Sequence, residues 1–276
     1  MSLRLAYNTN GASSHRLSDA VSLIADSGYQ GVALTPDHHH LDPFAKDWQS
    51  QTERLKVRLD ELGLGTVIET GARYLLNPRE KHEPTLLNPV AGDRARRVDF
   101  LCRSIDIAAM LGSETVSFWA GVPKAEVTRE QAFAWLHDGI SAVCGYAGEK
   151  GVSVSLEPEP GMLVETVADY GAVAEKHPSL RLALDTGHCL VTQDIAPDEA
   201  VRTYADAIGT VSVEDMKVGD HTHLPFGEGD LDLTAVVRAL NAVRFTGLVC
   251  VEYSRESPRA HLAIPEAAMA LRAAGA

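Results

Sequence analysis

The stretch 152–160, VSVSLEPEP, begins as a buried β-strand and closes on two carboxylates, Glu157 and Glu159, fenced by prolines. Small and β-branched residues suit a buried pleated segment. A carboxylate taken out of water at its end is costly unless it is paired. The fold must therefore bury the strand body and open the strand end to a polar space. Working outward, seven more runs read the same way: LRLAYN (3–8), GVALTP (31–36), GTVIET (65–70), ETVSFW (114–119), LRLALD (180–185), GTVSVED (209–215) and GLVCVE (247–252). Between them lie stretches with apolar residues at i, i+3, i+4 and i+7, such as LSDAVSLIADSG (17–28) and RARRVDFLCRSIDIAAMLG (94–112), and this spacing predicts helices. Gly28, Gly63, Gly112, Gly151 and Gly209 stand where each helix should stop before the next strand.

Eight strand–helix units with near-continuous apolar strands predict an α/β fold, a (β/α)8 TIM barrel, as a single domain over residues 1–276. A doubly wound open sheet is the competitor, but the count closes at eight and no Gly-rich dinucleotide fingerprint follows the first strand. The longest irregular stretch, 73–93, follows the third strand, and loops of that length are commonly lids or binding loops.

The formal charge of −13 disfavours nucleic acid phosphates and anionic membranes as partners and favours a small molecule. Cys102, Cys144, Cys189 and Cys250 form no CxxC pair and read as reduced thiols. No run approaches the roughly 20 apolar residues of a membrane span, and the N-terminus carries no signal core, so a cytoplasmic location is the expectation.

In a barrel the C-terminal strand ends ring one cavity. The polar ends here are Asn8 and Asn10, Asp37 to His40, Glu69, Trp119, Glu157 and Glu159, Asp185 and His188, Ser212, Glu214 and Asp215, and Glu252. Carboxylates gathered so closely repel unless a cation is present. Glu157, Asp185 and Glu252 close the fifth, sixth and eighth strands, and HTHLPFGEGD (221–230) adds His221 and His223. Such oxygen-rich sets with one or two imidazoles suit Mn, Mg, Co, Zn or Fe(II). Glu159 and Asp215 have an equal claim to capping or pairing roles. Of the adjacent His38, His39 and His40, one lines the pocket, with His40 the candidate. Trp119 offers a flat face to a sugar ring, or a core position at the barrel top. Glu69 and Arg73 could bond substrate hydroxyls or pair with each other. Lys217, Arg255 and Arg259 are the cations a phosphorylated substrate would need; no P-loop is present.

The set LEPEP (156–160), LALDTGHC (182–189), VSVEDMK (211–217), HLPFGEGDLD (223–232) and VCVEYS (249–254) resembles the xylose isomerase-like TIM barrel superfamily of sugar isomerases, sugar epimerases and endonuclease IV. The resemblance spans the whole chain, with DTGH and HLPFGEGD its most specific parts. It implies a metal held by Glu, Asp, His and Glu from strands five to eight, positions that fall on Glu157, Asp185, Ser212 and Glu252. Manganese is the first choice, with Zn, Co, Mg or Fe as alternatives. Glu157 and Glu252 match the pair that moves a proton, giving isomerisation or epimerisation of a sugar, sugar phosphate or cyclitol through an enediolate. His188 contacts substrate in the epimerase branch and ligates metal in the endonuclease branch. Where relatives carry His this chain has Ser212, and three repairs are open: Glu214, which is on the same strand face; His221 or His223, with His223 ranked first; or a water. The pair His221-x-His223 also leaves room for a second metal. The resemblance implies a small carbohydrate or cyclitol partner and a homo-oligomer. Three alternatives follow. Elimination from a keto sugar or keto cyclitol needs the same first proton abstraction. An endonuclease IV-like phosphodiesterase conflicts with the acidic charge and with Ser212. A non-catalytic binding barrel would be indifferent to chelator.

Overall fold

A computed structural model describes residues 2–276. The chain runs β1 (Arg4–Asn8), α1 (Leu17–Asp26), β2 (Gly31–Leu34), α2 (Trp48–Leu62), β3 (Gly65–Glu69), α3 (Ala91–Leu111), β4 (Val116–Trp119), α4 (Arg129–Lys150), β5 (Val154–Glu157), α5 (Val167–Ala174) and β6 (Leu180–Asp185). It continues through α6 (Thr186–Thr192), α7 (Pro197–Thr203), β7 (Ile208–Val213), β8 (Asp215–Lys217), β9 (Asp220–Leu224), α8 (Leu233–Ala242), β10 (Leu248–Val251) and α9 (Ala260–Ala273). Strands β1 to β7 and β10 pair in parallel and close into an eight-stranded barrel, with β10 between β7 and β1. Strand count, order and closure match the sequence expectation.

The local causes are visible. Gly63, Gly112 and Gly151 end α2, α3 and α4 in the left-handed conformation, at φ 66°, 70° and 67°, where a Cβ would be strained. Helices α4 and α5 start with capping boxes, Thr128 with Gln131 and Thr166 with Asp169. Small residues fill the barrel interior, where Ala6, Ala33, Val67, Leu248 and Cys250 form their own cluster. The larger apolar core lies between the strands and the surrounding helices. All four cysteines are free thiols, and no helix among the described residues is long and apolar enough to cross a membrane.

Two local expectations are corrected. Gly209 is not a helix stop: α7 ends at Thr203 and Gly209 lies in β7, where a Cβ would collide with Ser155 Oγ. The seventh strand does not run to Asp215. It ends at Val213, and β8 pairs antiparallel with β9 around a Val218–Gly219 turn, with Gly219 at φ 74°. Helix α6 begins directly after β6, because Asp185 caps it by accepting from the His188 backbone N–H at 3.0 Å.

The 73–93 loop is pinned to the barrel mouth by Arg97 of α3, which is only 4 % exposed. Its Nε donates to Pro84 O at 2.8 Å, its Nη2 donates to His82 O at 2.6 Å, and its guanidinium sits 4.7 Å from the Trp119 ring centre. Lys124 holds the same loop through Glu83 at 3.0 Å.

Candidate active site

At the C-terminal ends of the barrel strands lies a cavity of about 800 Å³ lined mostly by charged and polar side chains. Its floor is acidic. Ligand atoms of Glu157, at the end of β5, Asp185, at the end of β6, and His188 all lie within 4.8 Å of one another. Glu252, one residue past β10, lines the same cavity, and Asn10 Nδ2 donates to its Oε1 at 3.0 Å. It stays outside that tight group, and Asp185 lies behind His188 rather than among the lining side chains, so of the three expected carboxylates the cavity takes Glu157 and Glu252 and the tight group takes Glu157 and Asp185. Burial, followed by the charges of Glu159 and Glu252, pushes the Glu157 carboxyl well above its ordinary range. For Glu252 the causes are burial, then Glu69 and Asp185.

His188 is buried and held at both ring nitrogens. Nδ1 donates to Pro158 O at 2.9 Å, which leaves the lone pair of the neutral ring on Nε2. Nε2 lies 3.1 Å from His221 Nε2, 3.6 Å from Asp185 Oδ2 and 3.8 Å from Glu159 Oε2. Burial opposes a charge on this ring, but Asp185 and Glu159 outweigh it and raise the pKa. His221 and His223, carried in on β9, complete a second convergence with His188 within 4.8 Å. Burial lowers both of their pKa values to about 4.

The outer wall is cationic. Arg73 and Lys81 from the 73–93 loop and Arg255 after β10 all line the cavity, and Arg73 Nη2 donates to Ser254 O at 3.1 Å. Among the described residues none of the three is ion-paired, whereas Lys124 and Arg259 are. Trp119 faces the cavity with the His82 ring 5.1 Å away.

Other expected site residues fall in varied places. Glu69 lines the cavity and accepts from Thr35 Oγ1 at 2.7 Å and from the Gly71 N–H; it does not pair with Arg73. None of the three consecutive histidines lines the cavity. His40 turns away, its Nε2 3.2 Å from His15 O, and Asp37 holds His38 through Nδ1 at 2.8 Å. Lys217 is exposed at the hairpin turn, and Arg259 is taken by Glu256 and Glu266. Ser212 faces the barrel interior, in register with Asp185 and Cys250, and is not part of the cavity lining. Glu214 is 0 % exposed and hidden beside Asp185. Asp215 is structural: its oxygens accept from the backbone N–H of Gly227 at 2.8 Å and Leu231 at 2.9 Å, shaping the GEGD loop.

Sequence reasoning missed Tyr74, Lys81, His82, Ser13, Ser14 and Ser257, all of which line the cavity. Only the length of the 73–93 loop pointed toward the first three. Ser13 and Ser14 sit in a turn after β1 and Ser257 opens a short 3-10 helix after β10, where no periodicity marks direction.

The family model described as xylose isomerase-like TIM barrel matches residues 21–274, and the chain belongs to that family. A 2-oxo-tetronate isomerase from Cupriavidus necator is 22% identical over 267 residues, covering 91% of this chain and 90% of that protein. Among solved structures, apo 3-keto-D-glucoside 4-epimerase from E. coli superposes with a TM-score of 0.78 at 16% identity, covering 99% of this chain and 100% of that one. An IolI protein with a bound zinc atom gives a TM-score of 0.74 at 16% identity, covering 99% and 96%.

Proposed function

We propose that this chain is a divalent-metal-dependent isomerase or epimerase of a sugar, sugar phosphate or cyclitol that works through an enediolate. The observation that carries the reading is the pairing of Glu157 and Glu252 across one cavity floor, both with carboxyl pKa values raised by burial and by neighbouring carboxylates. A carboxyl raised in this way is better placed to take up and return a proton during turnover than an exposed one. One of the pair then removes a proton from the carbon beside a carbonyl, and the other returns a proton to the next carbon or to the opposite face. Asn10 orients Glu252 for this transfer.

The donor set fits a divalent cation. Asp185 Oδ2 is buried with no hydrogen-bond partner, and His188 is fixed through Nδ1 to a backbone carbonyl in the manner of a metal-ligating imidazole. Glu157, Asp185 and His188 would hold the ion, and Glu252 lines the same cavity as Glu157. Bound there, a divalent cation would polarise the substrate carbonyl and acidify the neighbouring C–H. The zinc in the IolI protein supports this choice of partner.

Trp119 supplies a flat wall for the sugar carbons, and the 73–93 loop limits water entry. The unpaired Arg73, Lys81 and Arg255 favour a substrate with a carboxylate or phosphate at the end away from the carbonyl. The relationship to an isomerase of a keto acid, 2-oxo-tetronate, agrees with that preference. The test is solvent deuterium incorporation followed by NMR over a panel of ketoses, keto acids, ketose phosphates and keto cyclitols, with Mn²⁺ and with chelator. Exchange at the carbon beside the carbonyl that depends on the ion is the expected result. Absence of exchange with every compound would overturn the reading.

A further inference from the structure

In a chain of formal charge −13, cations left without a carboxylate partner are not explained by a shortage of acids. Arg73, Lys81 and Arg255 are such cations, and they meet at one edge of the cavity. Arg73 Nη2 donates to Ser254 O at 3.1 Å, so the start of the 73–93 loop is tied to the residue before Arg255. Lys81, further along the same loop, lies within electrostatic reach of both guanidinium groups. Burial, then Arg73, lowers its pKa, with Arg255 acting in the same direction and Glu159 against it. Like charges crowded in this way repel unless an anion comes between them. Glu69 is also in reach of Arg73, but its oxygens are taken by Thr35 Oγ1 and the Gly71 N–H.

A directed chain of hydroxyls stands beside these cations. Ser13 Oγ donates to Ser257 Oγ at 3.0 Å, and Ser257 Oγ donates in turn to Ser14 Oγ at 2.8 Å. The Ser14 N–H donates to Ser257 Oγ at 2.6 Å and fixes the arrangement. The Ser14 hydroxyl accepts from Ser257 and keeps its own proton for a partner outside the chain. All three serines line the cavity, and Ser257 follows Arg255 by two residues. The balance of charge selects the anion. Three cations set against Glu159 leave two positive charges over, and a carboxylate would neutralise one of them. A phosphate monoester carries about −1.5 to −2 at pH 7 and offers three acceptor oxygens, which suits two guanidinium groups, an ammonium and a hydroxyl. Glu252 lies three residues before Arg255, so a phosphate at this edge leaves the substrate carbons over Glu252 and Glu157.

We infer that Arg73, Lys81, Arg255 and the Ser14 hydroxyl form a phosphate subsite and that the substrate is a sugar phosphate rather than a free sugar or a keto acid, an inference that rests on the isomerase or epimerase reading of the same cavity. Compounds that cannot react separate the two. The full-length protein in Mn²⁺ is titrated calorimetrically with a pentitol, the pentitol phosphate and the aldonate of the same chain length. The phosphate should bind at least about tenfold more tightly than either of the others. R255Q and K81M should each remove at least about tenfold of that preference, as expected for one lost charge-assisted hydrogen bond. Both residues are exposed, so neither substitution reaches the core. K217M, which removes a lysine at the hairpin turn outside the cavity, should keep the wild-type preference. Equal binding of the three compounds, or tighter binding of the aldonate, would overturn the phosphate subsite. A phosphate preference that survives both R255Q and K81M would overturn it as well, because the phosphate would then sit on the ion or elsewhere. Phosphate-selective binding that both variants lose, without solvent deuterium exchange in any ketose phosphate, would uphold the subsite and overturn the isomerase reading alone.

Discussion

A carboxylate at a strand end has several possible employments, and its neighbours decide among them. Glu157 and Glu252 meet the cavity and sit among other acids, whereas Asp215, one residue from Glu214, is spent on two backbone N–H groups. Glu157→Gln and Glu252→Gln are each expected to reduce kcat by roughly 100- to 10,000-fold, the range for a lost general acid or base. Their Tm in chelator should equal or exceed the wild-type value, since an amide is neutral without taking up a proton. Turnover at the wild-type rate in either variant would remove the proposed proton-transfer pair. At this scale the sequence was legible for Glu157, Asp185 and Glu252, because each ends an apolar run. It was not legible for His40, whose ring direction follows from the turn after β2 and a bond to His15 O.

Among elements, the 73–93 loop and the β8–β9 hairpin finish the site that the barrel begins. The loop depends on Arg97, whose buried guanidinium bonds two of its carbonyls. Arg97→Met keeps the bulk and strands those carbonyls, at a cost of about 1–3 kcal/mol each. Urea unfolding should show that loss, and limited proteolysis should cut within 73–93 faster than in the wild type. Unchanged cleavage would show that the loop is held by other contacts, such as Lys124 with Glu83. The hairpin escaped sequence reading because DMK continues the apparent alternation of β7, and only Gly219 marks the reversal. Without that hairpin, His221 and His223 are two histidines in a loop; with it, they face His188.

For the whole molecule, the gathered acids set a pH dependence. Glu157, Glu214 and Glu252 have folded pKa values raised above the ordinary 4.5, burial being the first cause in each, and His188 is raised above 6.5 by Asp185 and Glu159 against the effect of burial. A raised group stabilises the fold fully below its unfolded pKa and loses that contribution as pH climbs through the folded value. His40, at about 4, His82, at about 3, and His223, at about 4, work in the opposite sense: their contribution is present above 6.5 and is lost as pH falls toward those values. Above about pH 7 those three imidazoles are neutral in either state, so the raised groups set the slope. In chelator, Tm should therefore fall as pH rises above about 7, and saturating Mn²⁺ should flatten the decline by neutralising the floor. A Tm in chelator that stays level over this range would count against a crowded acidic floor.

The sequence by itself determined the eight strand–helix units, their parallel closure and the acidic character of one barrel end, since hydrophobic periodicity and helix-ending glycines act locally along the chain. Only the tertiary structure decided which polar residues share the cavity. It turned His40 and Lys217 away, brought in Lys81 and His82 on the pinned loop, and buried Glu214 against Asp185. The reason is physical: a side chain's direction beyond a strand end depends on turn geometry and on contacts with residues far away in sequence, and neither leaves a periodic trace.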